Sequence, residues 1–131
     1  MAENHDDFFA SIAATHHESL RSDYAAVLTA RGLMGLLYRQ AALMTMAAKA
    51  KGVGVELVDW TTADQFAVKV DLREVWVERK ADTITATFNG FSRAVVPQTK
   101  VVLAPDTREA PDDFALRVTE RVRAAFWPEA R

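Results

Sequence analysis

The 18 residues from Leu33 to Ala50 constrain this chain most: 13 of them are apolar, yet Arg39 sits near the middle and Lys49 near the end. A bilayer span needs about 20 consecutive apolar residues, and a central arginine costs at least roughly 2.5 kcal/mol there. The segment therefore reads as a buried helix and not as a membrane span. On a helical wheel, Thr45, Lys49, Gly35 and Arg39 share one arc about 120° wide, while Leu33, Met34, Leu36, Leu37, Leu43 and Met44 fill the opposite side. An apolar arc about twice as wide as the polar one needs cover on two sides, from a sheet and the N-terminal helices or from another subunit. Gly52 is a natural stop for this helix, with Lys49 and Lys51 near the negative end of its dipole.

Upstream, Asn4 reads as an N-cap with Asp6 and Asp7 in the first turn, and Phe9, Ile12, His16 and Leu20 recur at helical steps. An unbroken helix to Arg31 would be about 40 Å long at 1.5 Å per residue, more than a domain of this size readily covers. The expectation is a break near Ser22-Asp23, with Ser22 capping a short helix that carries Tyr24, Val27 and Leu28, and with Gly32 ending or kinking it.

From Val53 to Pro105 the period changes to two, the signature of strands. Val55 and Leu57 alternate with Glu56 and Val58. Phe66, Val68, Val70 and Leu72 share a face, after which the phase flips to Val75 and Val77, so a bulge or strand break is expected near Arg73-Glu74. Ile84, Ala86 and Phe88 point inward, opposite Thr83, Thr85 and Thr87. Asn89-Gly90 predicts a two-residue hairpin in which Phe88 faces Phe91, Ala86 faces Arg93 and Ile84 faces Val95. Val101-Val102-Leu103 supplies a last strand. A final helix starts at Pro111, carries Asp112 and Asp113 in its first turn, and buries Phe114, Val118, Val122, Ala125 and Phe126 before Trp127-Pro128. The fold class is α+β: N-terminal helices, an antiparallel β-meander of about five strands and a C-terminal helix, in one domain spanning 1–131.

Composition narrows the function more by exclusion than by motif. With 131 residues, 50% of them apolar, and a net charge of −2, the chain is a folded domain and lacks the basic excess of a generic nucleic-acid binder. Zero cysteines remove disulfides, thiol catalysis and thiolate metal sites. Together with an acidic start, they point to the cytoplasm and to no membrane association. Lys51-Gly52-Val53-Gly54 lies between helix and strand, the reverse of a phosphate-cradling loop. His5, His16 and His17 all fall on the first helix, and adjacent residues there diverge by about 100°, so His16 and His17 do not form a metal pair. His16 reads as part of the apolar stripe. Asp106, Glu109, Asp112 and Asp113 read as caps, and Glu74 and Glu78 as a solvated face. No acidic residue occurs between Asp23 and Glu56, where Arg31, Arg39, Lys49 and Lys51 do. These cations are expected to pair with Glu3, Asp6, Asp7, Glu18 and Asp23 of the N-terminal helix.

Val75-Trp76-Val77, Ile84 to Gly90 and Val95-Val96-Pro97 loosely resemble the central strands of SspB-type adaptors, over about a fifth of the chain. That resemblance implies delivery of tagged proteins to the ClpXP protease. The chain departs from the pattern by ending in a helix and by its longer N-terminal helical block, and no family is assigned on it.

The residues lead to a non-enzymatic cytoplasmic protein that acts through protein-protein contacts, as an adaptor, chaperone-like or assembly component, and that forms a homo-oligomer. Leu36, Leu37, Met44 and Met46 are the expected partner-binding residues. The alternative is an apolar small-ligand-binding protein, its pocket between the helix 33–51 and the sheet and lined by Phe66, Val68, Phe88 and Phe91. No catalytic residue, cofactor or metal is expected.

Overall fold

The computed structural model describes residues 5–59, 64–106 and 108–128, with backbone alone for 5–24 and Asp59. The order is α1 (His5–Ala50), β1 (Val55–Asp59), β2 (Gln65–Val70), β3 (Arg73–Lys80), β4 (Thr83–Asn89), β5 (Lys100–Leu103) and α2 (Pro111–Phe126). The five strands form one antiparallel sheet in sequence order, a meander, and the fold is α+β as its hydrophobic periods require.

The N-terminal block departs from expectation. Instead of separate helices, α1 is one helix of 46 residues, about 69 Å long, running through Ser22-Asp23 and Gly32 without a break. Nothing in the sequence forces one there. Ser and Asp inside a helix cost only about half a kcal/mol each against alanine, Gly about 1, and no proline intervenes. One continuous helix does not fold its acidic start back on its basic end; the carboxylates of the expected pairing, Glu3, Asp6, Asp7, Glu18 and Asp23, lie outside the residues whose side chains are described. Arg39 reaches Asp112 of α2, at 3.7 Å. The stop at Gly52 is as expected. Its φ is +78°, the Gly52 N–H donates to the Lys49 carbonyl at 3.0 Å, and the Val53 N–H donates to the Ala48 carbonyl at 2.9 Å. These two bonds are those of a Schellman motif, which uses glycine because an L side chain resists the left-handed region.

Alternation sets the sheet's inner face. Phe66 pairs with Val77, Val68 with Val75, Val75 with Phe88, Val77 with Ala86, and Ala86 with Val101, and all of these residues are buried under α1 and α2. The phase flip after Val70 is a strand break made by a hairpin: Asp71, at φ +55°, and Leu72 form its two-residue loop, so Leu72 is exposed and not in the inner row.

The Asn89-Gly90 hairpin does not form. Strand β4 ends at Asn89 and pairs with β5, Ile84 opposite Leu103 and Ala86 opposite Val101, after an excursion from Gly90 to Thr99. Gly90 alone takes positive φ, at +81°, whereas a type I′ turn needs it at both central positions. The excursion is held by packing. Phe91 meets Phe88 edge-on at 5.7 Å and Phe126 at 4.9 Å between ring centroids, and Val96 is buried in the core. The expected closeness of Phe88 and Phe91 is thus met through their rings and not through a ladder. Helix α2 begins at Pro111, with Asp112 and Asp113 in its first turn, and buries Phe114, Ala115, Val118, Val122, Ala125 and Phe126.

Candidate functional site

The side of α1 that meets the sheet and α2 is narrower than the apolar arc of its sequence. Ala30, Leu33, Met34, Leu37, Ala41 and Thr45 are buried, at steps of three and four. On the wheel they span about 120°, one third of the circumference. Thr45, expected on the polar arc, lies inside because its hydroxyl donates to the Ala41 carbonyl one turn back, at 2.8 Å. With its polar atom satisfied locally, threonine packs as a small apolar residue.

The remaining apolar residues of α1 reach the surface. Leu36 and Met44 are half-buried at the flanks, while Leu43 is 53% exposed and Met46 67%. Of the four expected partner-binding residues, then, Leu37 belongs to the core and Leu36, Met44 and Met46 remain available. Helix α2 adds one that sequence reasoning missed: Leu116, 48% exposed, lies off the buried stripe of its own helix.

Leu43 and Leu116 line the two walls of a surface groove of about 500 Å³ between α1 and α2. Met44, Ala47 and Ala48 continue the α1 wall, and Val53 and Trp127 complete the apolar lining. The polar lining comes from Gln40, Lys51, Thr119, Glu120 and Arg123. Arg123 forms an ion pair with Glu120, and this contact holds the carboxyl below its usual pKa and raises that of the guanidinium. Among the described residues, Lys49 and Lys51 have no carboxylate within ion-pair distance.

A second charged contact braces the start of α2. Arg117 donates to both oxygens of Glu109, at 2.9 and 3.0 Å, and to the Ala104 carbonyl at 3.0 Å, with its guanidinium over the Phe114 ring. The hydrogen bond from Arg117 keeps the Glu109 carboxyl below its ordinary pKa. Asp106 accepts from the Arg108 N–H, and Glu109 accepts from the Asp106 N–H. Asp106 and Glu109 thus hold the loop before α2 and Asp112 and Asp113 lie in its first turn, but none of them caps it: the N-cap is Ala110, without a side-chain cap hydrogen bond. Glu74 and Glu78 differ from expectation in being half-buried. Glu74 meets Lys69 at 3.7 Å and accepts from the Asn89 amide at 3.3 Å.

Between α1 and the sheet the space is nearly filled. A void of about 20 Å³ lies among Leu37, Ala41, Met44, Phe66, Val68 and Val118, room for about one water. Of the four residues expected to line a ligand pocket there, Phe66 and Val68 border the void, whereas Phe88 and Phe91 stack toward Phe126. The side chains of His5, His16 and His17 lie outside the described residues. Among the described residues no three His, Asp or Glu side chains gather as metal ligands, and no helix is long and apolar enough to cross a membrane. Comparison with protein-family models, with curated proteins and with solved structures returns no match, SspB-type adaptors included.

Proposed function

We propose that this is a non-enzymatic cytoplasmic protein that acts by protein-protein contact, as an adaptor, chaperone-like or assembly component, seating a helix in the α1–α2 groove and self-associating. The observation that carries this reading is the pair of half-exposed leucines, Leu43 and Leu116, on the two walls of one groove beside a nearly void-free core. An apolar channel with a polar rim is the surface on which an amphipathic helix docks through residues spaced i, i+3 and i+7. Burying a leucine fully is worth about 1.5–3 kcal/mol, so completing the burial of these two contributes roughly 2 kcal/mol before any rim contact. Leu36, Met44 and Met46 extend the apolar surface along α1, and methionine suits such a surface because its thioether adapts its shape. The interior void is far below the roughly 300 Å³ of small-ligand pockets, which disfavours the ligand reading at the helix-sheet boundary.

The test is a photo-reactive amino acid at Leu116, compared with one at Leu72 on the β2–β3 loop, in cells of the source organism. A protein adduct through Leu116 and none through Leu72 is the expected result. Equal labelling at both positions, or none at Leu116, refutes the reading.

A further inference from the structure

We infer that two copies of this chain pair through the free edge of β1, antiparallel and with Leu57 on the twofold axis, joining their five-stranded sheets into one. The inference rests on the self-association proposed above and names the surface that carries it, a surface separate from the α1–α2 groove.

The ladder shows which backbone groups of β1 are free. In a two-residue hairpin the residues flanking the loop exchange both of their hydrogen bonds, and the pattern alternates from there. Val70 and Arg73 flank the Asp71-Leu72 loop, so Val70, Val68 and Phe66 spend their N–H and C=O groups on β3, while Lys69 and Ala67 spend theirs on β1. Their β1 partners are Glu56 and Val58. Val55, Leu57 and Asp59 therefore turn their backbone groups away from the sheet. The same rule, run from each hairpin, places the Arg79 N–H toward β2 and the Phe88 N–H toward the β5 side, where they donate to the Asp64 and Thr99 carbonyls at 2.8 and 2.6 Å. Among the described residues the Val55 N–H donates to the Val53 carbonyl at 3.0 Å, and nothing bonds the N–H or C=O of Leu57.

The two edges of the sheet are not alike. Along its edge β5 turns the backbone of Lys100 and Val102 outward, and it is blunted: Lys100 opens it, Pro105 follows it, and Arg117 occupies the Ala104 carbonyl at 3.0 Å. Lysine and proline are devices that keep an edge from pairing. Strand β1, Val55 to Asp59, contains neither. The helix does not shield it, because Leu37, Ala41 and Met44 face Phe66, Val68, Val75 and Val77, which sets α1 over β2 and β3, inside the edge.

The occupant follows from β1 itself. Antiparallel pairing about Leu57 lets two copies exchange both Leu57 hydrogen bonds, uses all five residues of the strand, and sets Glu56 of one copy against Val58 of the other. An axis at residue 56 would set glutamate against glutamate, and like charges directly opposite are destabilising. On the inner face, Phe88, Val75, Val68 and Leu57 form one apolar row across the sheet. Leu57 ends that row half-buried, and the second Leu57 continues it. The contact is isologous, so the assembly closes at two.

The experiment uses the full chain. Sedimentation equilibrium is expected to give twice the chain mass for the wild type and the chain mass for Leu57→Pro, which removes the outward N–H and spares the internal ladder, with the urea m-value retained. Crosslinking tests the register with Leu57 in place. Across the pairing, Glu56→Cys and Val58→Cys in this cysteine-free chain come within about 4.5–5.5 Å between Cβ atoms, whereas two copies of either variant hold theirs about 7–8 Å apart. Mild oxidation of the equimolar mixture is expected to give about tenfold more linked dimer than either variant alone, and Val102→Cys on the β5 edge is expected to give none.

A wild type that is monomeric at all concentrations overturns the inference and the self-association with it. A folded Leu57→Pro chain that stays dimeric, a mixture that links no better than its components, or a Val102→Cys chain that links overturns the β1 pairing and leaves self-association standing on another surface. Should Leu57→Pro not fold, the crosslinks decide alone. The adduct at Leu116 reads the groove separately, so failure of the edge pairing is distinct from failure of the reading beneath it.

Discussion

Replacing Gly90 by alanine separates the loop described here from the hairpin that Asn89-Gly90 suggests. Gly90 sits at φ +81°, and a Cβ there would collide with the Leu72 carbonyl oxygen and press on the Leu72 carbonyl carbon and the Arg73 Cα. The left-handed backbone costs an L residue about 1–2 kcal/mol. The obstructing atoms are backbone in the β2–β3 loop, which cannot swing aside like a side-chain end, so relief strains that loop by a further ~1–3 kcal/mol. Gly90→Ala should therefore destabilise by about 2–5 kcal/mol. At a urea m-value near 2 kcal/mol per M, the unfolding midpoint falls by about 1–2.5 M with m unchanged.

Two controls sharpen the test. Asn89 is not at positive φ and loses only an exposed 3.3 Å bond to Glu74, so Asn89→Ala should cost under ~0.5 kcal/mol. In a type I′ hairpin both residues would be left-handed, and both replacements would be costly. Gly35 lies inside α1 with nothing within 4 Å of an added methyl, and Gly35→Ala should stabilise by about 0.8–1 kcal/mol. Gly90→Ala within 0.5 kcal/mol of wild type, or Asn89→Ala as costly as Gly90→Ala, would refute the argument.

Other consequences are measurable in the same way. Phe114 is fully buried, so Phe114→Ala should cost about 3–5 kcal/mol in urea unfolding, with a loss under 1 counting against the core described. Ala81 holds φ +53° in the β3–β4 turn, and Ala81→Gly should raise stability by about 1 kcal/mol by removing the left-handed penalty. Glu109 has its pKa lowered in the folded state by the Arg117 hydrogen bond, so its stabilising contribution is present above the usual glutamate range and lost as pH falls through and below it. The acid side of the thermal-midpoint profile should accordingly be shallower in Glu109→Gln, and identical slopes would assign no role to this pair.

The elements legible in the sequence are those set by local rules. The α2 stripe of Phe114, Val118, Val122, Ala125 and Phe126 follows from helical spacing, and the stop at Gly52 follows from backbone freedom. The strands and their inner rows follow from alternation. Readings failed where distant packing decides. The Asn89-Gly90 turn preference yields to Phe91 packing on Phe126 and Val96 entering the core. The expected break in α1 came from the assumption that a chain of this size covers its own helices, which no residue at 22–23 enforces. For the candidate site, the over-wide apolar face of α1 was visible, but its division into core and surface depends on where α2 lands. That placement sends Leu37 inward, leaves Leu43 outside, and makes a groove wall of Leu116, which has no distinguishing mark in the sequence.

The position of α2 after the sheet also bears on how the molecule is made. Neighbouring strands pair in order, so the meander can assemble hairpin by hairpin as it leaves the ribosome. Its inner face still lacks the six buried side chains that come only with residues 114–126. During synthesis the chain therefore passes through a stage with a completed ladder and an open apolar surface, and translation speed between Leu103 and Phe126 sets how long that sticky intermediate is exposed to its neighbours.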